Sequence, residues 1–278
     1  MNYFKTFLLM AVLTALFVWL GNYLGGMNGM MYAFGFAVLL NFFSYWFSDK
    51  IVLAMYGAKE IKREDNKVLF VTVSNLAVKA GLPMPRVFII NDSMANAFAT
   101  GRDPEHAAVA VTSGILEVLD NRQLEAVLAH ELTHVKNRDI LICTIAATFA
   151  GAITMLARMA FWFGGSRNDN RGGGAGGIVM FIVAPIAAFL IQMAVSRSRE
   201  YAADNGSAQL TGQPQALISA LETLTASVKR RPAGEEVQPA TAHMFIVNPF
   251  SGDFFASLFS THPTLKQRKE NLEKFRPN

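Results

Sequence analysis

The sequence predicts an α+β, mainly helical integral membrane protein with four transmembrane helices and a water-soluble part built around a small β-sheet. Three observations predict it. The 278 residues are 52% apolar and only 17% charged, whereas an ordinary globular chain is about a quarter charged. No charged residue lies between Lys5 and Asp49. Short strand-like runs such as "RVFII" and "AAVAVT" alternate with longer stretches of helical spacing.

The basic balance, a formal net charge of +4 and a pI near 9.2, does not point to nucleic acid. The basic residues form no aromatic-interleaved stripe; they flank apolar runs, as membrane orientation requires. The single cysteine, Cys143, leaves no internal disulfide and fits a reducing compartment.

A bilayer crossing takes roughly 20 apolar residues, so residues 1–49 hold a hairpin of two, with "GNYLGGMNG" (21–29) as its turn. No small-x-small site precedes a polar start, so the first crossing reads as an anchor rather than a cleaved signal. Two further apolar runs, 140–157 and 178–195, predict a second hairpin over 140–195, although segments of about 18 residues also occur as buried core helices. Pro185 is tolerated in a spanning helix whose neighbours satisfy the freed carbonyl. Lys5, Lys50, Lys59, Lys62, Arg63, Lys136, Arg138, Arg197 and Arg199 all fall on one predicted side. The positive-inside rule makes that side cytoplasmic. The glycine-rich 164–177 lacks the Lys-Ser/Thr ending of a phosphate loop and reads as a connector on the opposite side.

The soluble part is then split between 50–139 and 196–278, with 230–241 as a linker. In the first piece, 67–81 is an amphipathic helix closed by Gly81 and Pro83, followed by strands at 86–90, 95–100 and 107–112. "NRQLEAVLAHELTHVKN" has helical spacing again, with Asp120 or Asn121 as cap and Gln123 placed for a capping box. His130 and His134, at i and i+4, project from one face of that helix, with Glu131 beside them. H-E-x-x-H on a helix is a zinc-protease signature: two imidazole ligands, and a carboxylate that takes a proton from water at the metal.

A catalytic zinc usually has three protein ligands. His106, His243 and His262 compete for the third place, as do carboxylates. Glu200 and Asp204 in "SRSREYAAD" share a helical face just after the fourth apolar run. Two crossings between His134 and Glu200 return the chain to its starting side, so the two could meet.

H-E-L-T-H, followed after two apolar runs by R-E-Y-A-A-D, resembles the M48 family of zinc metallopeptidases in its bacterial membrane-bound branch. "GLPMPRVFI", "NAFATGR" and "STHPT" extend the likeness over nearly the whole chain. The resemblance implies a zincin-like, gluzincin arrangement with one zinc ion per chain on His130, His134 and Glu200. It also implies that Asp204 bonds a ligand histidine and that Glu131 is general base, then acid. His262 is the candidate donor to the oxyanion, with Arg268 as the alternative; the family's usual H-P-P reads His262-Pro263-Thr264 here. Asn96, Ala97 and Phe98 resemble the family's substrate-binding edge strand, where main-chain bonding ignores side-chain identity. His106, His243 and Cys143 read as surface or packing residues, and the Phe-rich 245–259 as packing or a groove for apolar peptide. The chain lacks the additional crossings of the CAAX-prenyl branch.

The implied function is a zinc endopeptidase of the bacterial inner membrane, with its catalytic domain in the cytoplasm and misfolded membrane proteins as substrates. Two rivals stand beside it. An intramembrane-cleaving metalloprotease would need the H-E-x-x-H helix in lipid, but both its ends are charged. A chaperone or scaffold retaining a zinc site would have no use for Glu131.

Overall fold

The structure, a computed structural model, describes residues 2–149, 197–229, 245–247 and 263–276. The second predicted hairpin beyond Phe149, the 164–177 connector, the 230–241 linker, His243, His262 and all but 245–247 of the Phe-rich stretch lie outside the described residues.

Helix α1, Asn2–Met55, is one helical run broken at Gly25 and Gly26. Gly26 has φ 58° and ψ −146°, a region that residues with a Cβ avoid. The break yields two arms, Phe4–Tyr23 and Gly25–Met55, each long and apolar enough to cross a membrane. They lie antiparallel: the Phe17 and Phe36 rings meet at 5.7 Å, and Asn41 Nδ2 donates to Thr14 Oγ1 at 2.7 Å. The turn is tighter than the predicted 21–29, because the outer glycines serve a different purpose. A Cβ on Gly21 would lie 2.5 Å from the carbonyl oxygen of Gly29, so these two positions let the arms approach. The helix also continues past residue 49 to Met55, since Val52 and Leu53 bury themselves against the sheet.

The 67–81 pattern becomes helix α2, Lys67–Ala80. Asn66 caps it, accepting from the Leu69 N–H, and Gly81 closes it at φ 69°. The three predicted strands are present as β2 (Arg86–Ile90), β3 (Ala97–Thr100) and β4 (Ala108–Thr112). A two-residue strand β1 (Lys59–Glu60) and helix α3 (Ser113–Val118) were not predicted. The sheet order is β1-β2-β4-β3, with β2 and β4 parallel and the outer pairs antiparallel.

Both sheet faces are covered, and the two-residue period decides by what. Val87, Val109, Val111, Ala97 and Ala99 face the main core, shared with α2 and the metal-motif helix α4 (Asn121–Lys136). Phe88, Ile90, Phe98, Ala108 and Ala110 face Val52 and Leu53 of α1 and Ala147. Ala147 belongs to α5 (Ile140–Phe149), the start of the third apolar run. That helix packs Leu141, Ile142, Ile145 and Phe149 on Leu9, Leu13 and Phe17 of the hairpin. The remaining helices are α6 (Arg197–Thr211), α7 (Pro214–Lys229) and α8 (Leu265–Glu273).

Replacing Gly21 by Leu overpacks the hairpin and is expected to cost about 1–3 kcal/mol, read as a lower melting temperature in detergent. Gly35→Leu is the control, because a Cβ there meets nothing within 4 Å and should leave the melting temperature unchanged.

Candidate metal centre

Helix α4 begins with a complete capping box. Asp120 accepts from the Arg122 and Gln123 N–H groups, both at 2.8 Å, and Gln123 Oε1 accepts from the Asp120 N–H. From Ala126 to Thr133 every residue is buried. Helix α6 is held tightly beside it. Ser207 Oγ donates to the Ala126 carbonyl at 2.6 Å, and a Cβ on Gly206 would sit 2.6 Å from Thr133 Oγ1.

This pairing brings Glu200 against the histidines. Among the described residues, His130, His134 and Glu200 form one group whose ligand atoms all lie within 4.8 Å of one another. The two Nε2 atoms are 3.3 Å apart; Glu200 Oε1 is 3.5 Å from His134 Nε2, and Oε2 is 3.7 Å from His130 Nε2. Donors at ~2.0–2.1 Å around a tetrahedral ion would be about 3.3 Å from each other. Two neutral nitrogens and a carboxylate at this spacing fit zinc in both geometry and donor chemistry.

The outer face of each ring is also held. His130 Nδ1 lies 3.1 Å from Asp204 Oδ1, and His134 Nδ1 lies 3.3 Å from Asp139 Oδ2. Protons on both Nδ1 atoms leave both Nε2 lone pairs aimed at the centre. Asp204 is fully buried, and the buried Arg268 guanidinium grips it: Nε donates to Oδ2 at 2.9 Å and Nη2 to Oδ1. Arg268 Nη1 donates to the Ile246 carbonyl, and the Ile246 N–H donates to Asn96 Oδ1. Arg268 thus stands behind the His130 ring, committed to Asp204, rather than before the Nε2 atoms where an oxyanion would form. Burial works against ionising Asp204, yet Arg268 and His130 hold its carboxyl below the usual range.

Glu131 is buried and its Oε2 accepts from the Ala99 N–H of β3 at 3.0 Å. Burial, reinforced by the Glu200 charge, pushes its carboxyl above the ordinary range despite the opposing pull of the histidines and Ala99. Asn96 is 2% exposed; its N–H and carbonyl pair with Thr112. The Phe98 side chain lies on the hairpin side of the sheet, so β3 offers the site its main chain. His106 is at the surface with Asp103 and Arg102.

Asp139 was not predicted. Arg138 takes the left-handed conformation, φ 58°, just after α4 ends. This turns the chain so that the Asp139 N–H bonds the His134 carbonyl at 2.9 Å and its carboxylate reaches the His134 ring. A carboxylate five residues past the second histidine was the available signal.

The sequence pattern of peptidase family M48 matches residues 63–276. The chain belongs to peptidase family M48. Relatives described as "Protease HtpX homolog" include one from Sulfurihydrogenibium sp., 53% identical over 283 residues, covering 98% of this chain and 95% of that protein. One from Ralstonia pickettii is 53% identical over 273 residues (98% and 96% covered). One from Thermococcus sibiricus is 51% identical over 281 residues (99% and 96% covered). The crystal structure of S. mikatae Ste24p shares the fold, with a TM-score of 0.54 at 18% identity; the match covers 98% of this chain and 65% of that one, so the chain spans just under two thirds of its length. As an M48 member the chain is a metalloprotease with protein substrates, and its apolar hairpin accords with membrane attachment.

Two outcomes are expected. Burial alone would favour a neutral His134, but the Asp139 hydrogen bond and the charges of Glu200, Glu131 and Asp139 outweigh it and raise its pKa from 6.5 to about 9. In the metal-free protein this proton stabilises the fold, fully below 6.5 and no longer above about 9. Zinc must displace it, so zinc affinity should rise with pH until about 9. Calorimetry in buffers of different ionisation enthalpy should find about one proton released per zinc at neutral pH; zero release would refute this. Second, Arg268→Met leaves the Asp204 charge buried and should cost ~3–5 kcal/mol. Adding Asp204→Leu should recover stability in chemical denaturation, yet zinc affinity should stay about 10–100-fold low because His130 has lost its Nδ1 acceptor.

Proposed function

We propose that the chain is a zinc endopeptidase with four transmembrane helices and its catalytic domain at the cytoplasmic face of the bacterial inner membrane, degrading misfolded membrane proteins. The convergence of His130, His134 and Glu200, with Glu131 buried beside them, carries the proposal. Two crossings between Phe149 and Arg197 are supported by the meeting of both flanking helices at one cluster, as an even count requires. The basic residues at the hairpin ends support the cytoplasmic placement.

His130, His134 and Glu200 would hold the ion, which when bound supplies Lewis acidity at the scissile carbonyl. Glu131 takes the proton of the attacking water and delivers it to the leaving amine. Its raised pKa suits both tasks, since an acid that is too strong returns its proton poorly. The Ala99 N–H fixes the Glu131 carboxylate in place. Strand β3 is the sheet edge, and a peptide laid along Asn96, Ala97 and Phe98 would bond the outward main chain of Ala97, since that of Asn96 is taken by Thr112, whatever its side chains. That indifference suits the clearance of damaged proteins. His262 is the proposed donor to the oxyanion, since Arg268 is committed to Asp204.

The test is cleavage of an unfolded protein by detergent-purified material, stripped of metal and reloaded with zinc. Glu131→Gln should lower the rate by about 10²–10⁴-fold while one zinc per chain is still bound. Undiminished cleavage by the variant would rule out Glu131 as the base.

A further inference from the structure

A cavity of about 480 Å³ lies where the second arm of α1 meets the sheet, and none of its walls belongs to the metal cluster. One wall is aromatic: Phe42, Trp46 and Phe47, exposed by 54%, 44% and 37% on the surface that a membrane-bound chain turns to lipid. The facing wall is cationic, with Arg86 at the start of β2 and Arg102 just after β3, while Lys50 follows Trp46 by one turn of α1. The two chemistries touch. The Arg102 guanidinium lies 4.9 Å from the Trp46 ring centroid, and Lys50 Nζ lies 5.5 Å from that of Phe47.

The carboxylates nearby take up Arg86 and one side of Arg102 but not Lys50. Asp49 takes Arg86; Asp103 takes the Nε side of Arg102 and the ring of His106, and His106 Nε2 meets Arg102 Nη2 at 2.5 Å. Glu105 also stands in the wall. Lys50 has no carboxylate partner among the described residues. A free anion would need the cations but not the exposed aromatic wall; a net-neutral lipid would need the wall but gain little from the cations. Both together match one ligand class, as basic pockets beside membrane helices do, with Trp46 at the depth where aromatic residues settle among headgroups.

We propose that this cavity binds an anionic glycerophospholipid, its phosphate oxygens against Lys50 and Arg102 and its acyl chains along Phe42 and Phe47. The site is separate from the peptidase chemistry and stands whether or not Glu131 is the base.

The test uses the full chain with Trp19→Phe and Trp162→Phe, so that Trp46 is the one fluorophore, in phosphatidylcholine vesicles. Brominated phosphatidylglycerol and brominated phosphatidylcholine are compared as quenchers at equal mole fraction. Trp46 should be quenched more by the phosphatidylglycerol. Lys50→Gln should lower that preference about five-fold, and Lys50→Gln with Arg102→Gln should abolish it. Lys50 is exposed, so the single variant keeps the test decisive should the double variant not fold. Inorganic phosphate should leave the preference unchanged; its displacement by phosphate would assign the cavity to a soluble anion and overturn the proposal. Equal quenching by the two lipids, or a preference untouched by Lys50→Gln, would overturn it as well.

Discussion

Two imidazole nitrogens 3.3 Å apart face one point, where they need a proton or a metal ion between them and something behind each ring to keep it from turning away. Much of the structure meets that second requirement. Asp139 and Asp204 take the outer nitrogens, and Arg268 compensates Asp204 in an interior where a lone carboxylate would be expensive. Arg268 is in turn fixed by the Ile246 carbonyl, and Ile246 by Asn96. An unbroken line of polar contacts therefore runs from the entry of the edge strand to a ligand ring.

The fold supplies the rigid frame for this line. Helix α4 is buried along its middle by the sheet on one side and by α6 and α7 elsewhere. Gly206 lets α6 approach closely enough for Glu200 to reach across. The positions of four carboxylates, Glu131, Asp139, Glu200 and Asp204, thus depend mainly on helix packing and one arginine.

What could be read from the sequence was whatever depends on local period. The i, i+4 histidines, the Asp120–Gln123 box, the Gly81 stop and the three longer strands follow from spacing within a few residues. Strand β1 has two residues, too few to show alternation. Asp139 depended on Arg138 entering the left-handed region, which an arginine does not advertise. The Arg268–Asp204 pair joins residues 64 apart, and no local pattern encodes such a partner, so the sequence leaves Arg268 as the alternative to His262 for an oxyanion. Glu200 was singled out by the likeness of R-E-Y-A-A-D to the M48 pattern, since no local spacing ties it to His134.

The sheet is one side-chain layer thick on each face, with α4 on one and the end of α1 and Ala147 on the other. Phe98 and Ala99 are neighbours in β3, one gripping the hairpin side and the other holding the Glu131 carboxylate. One strand therefore separates the apolar hairpin from the Glu131 carboxylate. In the proposed enzyme, lateral pressure or a change in lipid thickness that shifts the hairpin would bear on Glu131 through a single strand, and the detergent chosen to extract the protein would become part of that carboxylate's environment.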